Sequence, residues 1–291
     1  GVGFHVGAAV VYYNKEILDK AGIDPDQIKT WDDYVAAGKI VKKKTGKPML
    51  TVEVSDQYGF WPLLIQQGSD YFDEKGNAIL DNKTNIKTLT FLHDLVYKHK
   101  IAMLAPGGFH HAEEYYGFMN KGGAASLVMP LWYMGRFTDF MPDLKGKMII
   151  RPLPAWEEKG LRSAGMGGTG TVVTNQSEHP DLAKEFIQFA KLSKKGNIKI
   201  WQLLGFDPIR WDVWDEPELR EPNKYTEYFG DDIFDMMLEI KDEINSPNIG
   251  EKTTIMNDYI TSNVLYHALK TRSKTPAEAL RDAAKEVRRS Q

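Results

Sequence analysis

The chain predicts an α/β fold on three observations. Helical and extended patterns alternate along its 291 residues, no repeat or low-complexity segment interrupts them, and the stretch from Phe118 to Arg136 joins a helix end, a small-residue strand and an aromatic cluster. Tyr12-Tyr13-Asn14-Lys15-Glu16-Ile17-Leu18 reads as the start of a helix. Thr30 with Asp33 is a capping-box pair that opens a second helix, which ends near Gly46; Pro48 and the run Met49 to Val54 then read as a strand. Ile86, Leu89, Leu92 and Val96 stand on one helical face, as do Phe186, Phe189 and Ala190, so both sets are expected to be core stripes. Near the end, Thr275, Pro276 and Glu278 supply an N-cap, a first-turn proline and a capping-box glutamate, with Leu280, Ala284 and Val287 on the buried side.

The Phe118–Arg136 stretch carries the first functional signal. A helix ends at Lys121-Gly122, a strand runs from Ala124 to Met129, and Pro130 is expected to stop pairing just before Trp132, Tyr133 and Arg136. Aromatics and a cation at the carboxyl end of a buried strand are where open α/β sheets bind ligands. The same residue types also serve as ordinary core aromatics beside a turn, and the stretch alone leaves both readings open.

Composition narrows the class. Hydrophobic residues make up 42% and charged residues 26%, ordinary for a globular protein. No run of 18 apolar residues offers a transmembrane helix. The absence of cysteine rules out disulfides and thiolate metal sites within these residues, which suits exported binding proteins. A net charge of -3 with interspersed Lys and Glu gives no extended basic surface, so no nucleic-acid partner is expected, and a neutral ligand is the simplest expectation.

Four ordered motifs carry a resemblance. Tyr12 to Leu18 with Ala21-Gly22-Ile23, then Thr30-Trp31-Asp32-Asp33-Tyr34, then Phe118-Met119-Asn120-Lys121-Gly122-Gly123-Ala124-Ala125, then Gly167-Gly168-Thr169-Gly170 followed by His179-Pro180 and Ala183 to Ile187, cover nearly the whole chain. Together they resemble the extracellular sugar-binding proteins of ABC importers, the family of maltodextrin-binding protein. That resemblance implies a bilobal, type II periplasmic-binding-protein-like α/β fold with hinge crossings. In the family, roughly a hundred residues, about half a domain, precede the first motif. Here the motif is reached at Tyr13, so Gly1 to Val6 is expected to be the first crossing and the amino-terminal half-lobe to be absent from this chain. The division that follows is 1–6 as a crossing, 7–165 and 218–291 as the larger carboxy-terminal lobe, and 166–217 as part of the amino-terminal lobe. The glycines Gly165, Gly167, Gly168 and Gly170 are expected to act as a hinge by freeing the backbone, with a plain surface loop as the other reading.

Sugar recognition needs flat apolar faces for C–H surfaces and directional polar groups for hydroxyls. By position, Trp61 after Tyr58 resembles the family's first aromatic platform, with Tyr58 and Phe60 as rivals for that role. Trp132 resembles the tryptophan after its small-residue strand, and Tyr259 falls near a third aromatic. Tyr133, Arg136, the hinge residues Gly168 and Thr169, and His5 in the presumed crossing strand complete the large-lobe and hinge set. Gly205 to Trp214 corresponds to a loop facing the cleft, from which Arg210 and Trp211 are expected to bond and stack on the ligand, with tryptophan packing as the alternative. This run, with Tyr225 to Gly230 and Asn263 to Tyr266, is closer to arabinose and arabino-oligosaccharide binders than to maltodextrin binders.

The resemblance therefore implies a monomeric, non-enzymatic solute-binding protein without cofactor or metal. It would take a pentose-containing oligosaccharide and deliver it to an ABC permease, either lipid-anchored at the extracellular face or in the periplasm. Xylo- or malto-oligosaccharides are the alternative ligands. Two other classes stay open: a glycoside hydrolase, which needs facing carboxylates where Glu113 and Glu114 point apart, and a ferric-ion binder using Tyr115 and Tyr116 near His110 and His111.

Overall fold

A computed structural model describes residues 1–166 and 168–289. Among these described residues, seven strands alternate with helices: β1 (Val2–Gly3), β2 (Ala9–Asn14), β3 (Leu50–Val52), β4 (Ala102–Leu104), β5 (Ser126–Pro130), β6 (Met148–Pro152) and β7 (Gly170–Thr171). The helices are α1 (Lys15–Ala21), α2 (Trp31–Thr45), α3 (Trp61–Ile65), α4 (Lys83–Tyr97), α5 (Glu113–Asn120), α6 (Met134–Phe140), α7 (Pro180–Ile187), α8 (Lys194–Leu204), α9 (Thr226–Phe229), α10 (Ile233–Ile240), α11 (Thr253–Tyr259) and α12 (Pro276–Arg289). Five strands form one mixed sheet in the order β4-β3-β5-β2-β6, and β1 pairs with β7 in a separate antiparallel ribbon. No helix among the described residues is long and apolar enough to cross a membrane.

Strand β2 explains the layering. All six of its residues are buried, which is possible only for a strand covered on both faces. Because successive side chains alternate, Ala9, Val11 and Tyr13 enter one core with α1 to α4 and α12, while Val10 and Tyr12 enter a second core with α5, α6 and α10. Its neighbours β5 and β6 both run antiparallel to it, Ala9 facing Pro130 and Val10 facing Pro152.

Local chemistry sets the element ends. Asn14 caps α1 by accepting the Ile17 N–H at 3.1 Å. The Thr30–Asp33 capping box is present in full, and Gly46 closes α2 in the left-handed region at φ 72°. Thr275 and Glu278 cap α12 reciprocally, and Leu280, Ala284 and Val287 are buried. Pro130 is the last paired residue of β5 and not the residue beyond it. It can end a strand because pairing there asks no N–H of it.

Two expectations need correction. Phe186 and Phe189 are 66% and 60% exposed, not core, because α7 leaves the main sheet and no described element covers that face. Helical periodicity identifies an apolar face but says nothing about whether a surface lies against it. Gly165, Gly168 and Gly170 also differ from the expected freed backbone. They do not take positive φ; instead a Cβ on Gly165 would lie 2.6 Å from the Asn245 carbonyl oxygen and one on Gly168 2.5 Å from that of His5. Gly165 and Gly168 are small so that backbones can touch, whereas nothing lies within 4 Å of a Cβ position at Gly170. Gly167 lies outside the described residues.

The segment after α7 divides. Trp201 of α8 is buried against Phe234 at 4.7 Å, and Trp214 meets the same ring at 5.7 Å, so 194–214 leans on the second core while α7 stands away from it.

Candidate functional site at the end of strand β5

After Pro130 the chain makes a tight helical turn, Leu131–Tyr133, before α6. Tyr12 on β2 holds that turn by donating its hydroxyl to the carbonyls of Pro130 and Leu131, at 2.8 and 2.9 Å. The turn divides its aromatics. Tyr133 points inward, fully buried, and donates its hydroxyl to the His110 carbonyl, whereas Trp132 stays half-buried. His111 stacks on Trp132 at 5.6 Å and 24° between planes. Tyr58 meets Trp132 edge-on at 5.6 Å and 75°. Arg136, one turn along α6, is exposed. Burial first, and the Arg136 charge second, push the His111 imidazole down to about 4, so at neutral pH it is an uncharged flat ring. Burial, followed by the charges of Asp56 and Glu53, pushes the Tyr58 phenol up to about 12.

Beneath this cluster lies a closed polar network. Glu53 is wholly buried and accepts the His110 backbone N–H at 3.1 Å, while its carboxylate lies 3.3 Å from His110 Nδ1. The other ring nitrogen of His110 contacts Thr51 Oγ1 at 3.2 Å, and Tyr115 reaches the same hydroxyl at 2.8 Å. The Glu53–His110 contact is not an ion pair at neutral pH. Burial pushes the glutamate up to about 8, with Asp56 adding to it, and burial then the neighbouring His111 pushes the histidine down to about 3. Each group therefore keeps its neutral form.

The structure gathers some predicted residues and disperses others. Of the rivals for the first platform, Tyr58 alone reaches Trp132. Trp61 is a core residue: it stacks on Tyr71 at 5.1 Å and 10°, its indole N–H is held by Asp70 at 2.6 Å, and only 6% of it is exposed, which leaves no open platform. Phe60 is buried too. Tyr133 belongs to the second core. Tyr259 packs on the first core beside a groove lined by Asn263, His267 and Lys274, apart from Trp132. Arg210 is engaged by Asp212 at 2.6 and 2.9 Å and by the Leu192 carbonyl. Trp211 is 46% exposed and leans on Trp214 at 4.6 Å, and Thr169 is exposed.

His5 and Gly168 form a second group at the crossing. His5 packs on Phe206 at 4.8 Å and lies 4.0 Å from Asp207. Burial lowers the His5 pKa against the opposing pull of Asp207, and burial raises that of Asp207. Asp207 accepts the Ala8 N–H at 2.8 Å, and the Ala8 carbonyl in turn accepts the Leu131 N–H at 2.9 Å. Ala8 thus connects Asp207 to the turn that carries Trp132.

Sequence reading missed His111 as a stacking partner and Glu53 as the buried acid below it. His110-His111 was visible as a pair, but only against Tyr115 and Tyr116 as iron ligands. Those tyrosines pack instead, Tyr115 on Thr51 and Tyr116 flat against Phe140 at 4.7 Å. No group of three or more His, Cys, Asp or Glu among the described residues is placed to hold a metal ion. Glu113 and Glu114 sit exposed on the first turn of α5, outside the aromatic cluster.

The described fold is a mixed α/β unit with two cores, an aromatic cluster at its strand ends and a small separate ribbon. The chain belongs to the bacterial extracellular solute-binding proteins, whose family model matches residues 2–196. It is 55% identical over 287 residues to an arabinooligosaccharide-binding protein of Halalkalibacterium halodurans and 57% identical over 290 residues to one of Bacillus subtilis. Each alignment covers 99% of this chain but only 64% and 67% of the relative, so the chain spans about two thirds of their length. Among solved structures, maltose-bound T. maritima MalE3 superposes with TM-score 0.75 at 25% identity, over 100% of this chain and 73% of that one. The galacto-N-biose-/lacto-N-biose I-binding protein of Bifidobacterium longum gives 0.78 at 19% identity, covering 100% and 69%, and shares the fold.

Proposed function

We propose that the protein is the solute-binding component of an ABC sugar importer that captures an arabino-oligosaccharide outside the cytoplasmic membrane and presents it to the permease. The observation that carries the reading is the half-buried Trp132, stacked by a neutral His111 and edged by Tyr58. Such rings offer a sugar apolar surface for its C–H faces at little cost in side-chain entropy. Arg136 and Asp56 supply polar groups at the rim for hydroxyls. The names of the two relatives at 55% and 57% identity supply the pentose class; xylo- and malto-oligosaccharides are the competing ligands. Binding is the whole task in this reading, with no bond broken, and the ligand-bound monomer is the form the permease meets.

The lobe division is part of the proposal. Residues 7–165 and 218–291 make the larger lobe, and the second lobe begins within 166–217, with β7 and α7 in it and α8 bridging. His5, Gly168, Thr169, Arg210 and Trp211 then face the cleft from the crossing and the smaller lobe. Calorimetry of the full-length protein with arabino-, xylo- and malto-oligosaccharides tests the reading. Arabino-oligosaccharides should bind at least tenfold tighter than the other two. Preferential binding of a maltodextrin would replace the proposed ligand, and release of shorter sugars during the titration would replace the function.

A further inference from the structure

Glu53 has no counterpart among the residues that recognition of a sugar requires, since it is shut away from solvent. Its position is nevertheless specific. The loop that carries Tyr58 follows β3, the loop that carries His111 follows its parallel neighbour β4, and Glu53 touches both. Its Oε2 accepts the backbone N–H of His110, next to His111, at 3.1 Å, and the Gly59 backbone N–H, next to Tyr58, faces the carboxyl closely enough to favour its charged form. Gly59 is also packed against it, a Cβ there lying 3.4 Å from Glu53 Cγ. The main chains of the two loops meet as well, Val54 and Ser55 both donating to the Gly108 carbonyl at 2.9 and 3.1 Å. What remains is one carboxyl oxygen, Oε1, buried without a hydrogen-bond partner, beside His110 Nδ1 in the same condition. A buried acid left partly unsatisfied costs stability, so its presence calls for a function other than holding the core.

We infer that Glu53 is a positioning residue for the sugar platform, tying the Tyr58 loop to the His110–His111 loop so that both rings meet Trp132 before ligand arrives. This rests on the proposed sugar-binding site and adds a residue that does not touch the sugar. The geometry favours this over plain core packing because Glu53 meets the backbone at both residues that adjoin the ring-bearing ones, by a hydrogen bond at His110 and by packing at Gly59. A platform fixed in advance spends none of its binding free energy on ordering loops.

Two readouts on the full-length protein test it. E53L removes the acceptor and should weaken arabino-oligosaccharide binding at least tenfold, while E53Q, whose amide oxygen can still accept the His110 N–H with Gly59 packed beside it, should stay within about threefold of the parent. Amide hydrogen exchange should rise at least tenfold at Gly59 and His110 in E53L and be unchanged at Val11 and Tyr13 in β2. If E53L does not fold, E53D, one methylene too short to reach His110 while staying packed on Gly59, replaces it with the same expectations. Parental affinity in E53L or E53D overturns the inference, as does unchanged exchange at Gly59 and His110. If the unaltered protein binds no arabino-oligosaccharide, the sugar reading fails, and the exchange result alone then decides whether Glu53 ties the loops.

Discussion

The imidazole of His111 lies 5.6 Å from the indole of Trp132 and within 24° of parallel to it. The two rings come from different elements, the loop before α5 and the turn after β5, and Tyr58 closes the corner from a third. Because burial and Arg136 hold the imidazole down to about 4, the stack is between neutral rings across the physiological range. It presents an apolar wall, not a cation.

From this follows the expectation for Trp132. Trp132→Ala should weaken binding of arabino-oligosaccharide by about 1–3 kcal/mol, the range for truncating a buried aromatic side chain at an interface, with the fold retained. Retention is expected because Tyr12, not Trp132, pins the turn. Calorimetry with circular dichroism as the folding control measures it. A folded variant with unchanged affinity would take Trp132 out of the site.

Glu53 supplies a pH signature of stability. Its folded pKa is raised, from 4.5 to about 8, so the stability held by its neutral form is full below pH 4.5 and is lost as pH rises toward 8. His110 has the opposite sign: lowered from 6.5 to about 3, it gives stability above 6.5 that is lost as pH falls toward 3. Asp56, Asp70 and Asp207 slope with Glu53, and His5 and His111 with His110. Replacing one carboxyl isolates its share. The E53Q protein should gain on the parent between pH 4.5 and 8, with a slope of up to about 1.4 kcal/mol per pH unit in urea unfolding. A constant difference between the two across that range would mean that Glu53 ionises in the folded protein as it does in the unfolded chain.

How far the sequence could be read depended on the range of the chemistry. The capping boxes at Thr30–Asp33 and Thr275–Glu278 were legible because both partners lie within one helical turn. So was the small-residue strand, expected over Ala124–Met129 and found over Ser126–Pro130. Trp61 and Trp132 could not be told apart in the same way. What buries Trp61 is Tyr71 and Asp70, brought to it by the fold, and what leaves Trp132 half-open is a turn held by Tyr12. The Glu53–His110 contact joins residues on separate elements, and no local pattern marks it. Periodicity likewise marked Phe186 and Phe189 as an apolar face without knowing whether anything covers it.

The crossing gives the last expectation. Gly168 lets its backbone approach the His5 carbonyl to a distance where a Cβ would sit at 2.5 Å, which ordinary packing does not allow. The displacement forced by a side chain would have a route outward. The β1–β7 ribbon and the Ala8–Gly165 bridge join the two crossing segments, and Ala8 is bonded both to Asp207 and to the Leu131 amide beside Trp132. In the full-length protein, Gly168→Val should therefore impair the compaction that sugar produces in solution scattering more than it lowers the unfolding midpoint, because the crossing moves while neither core is touched. Gly170→Ala is the control: nothing lies within 4 Å of its Cβ position, and closure should survive it. If Gly168→Val closed on ligand like the parent, the approach to His5 would be incidental to the hinge. If neither the parent nor the variants compacted at saturating sugar, the lobes do not close and the site is rigid.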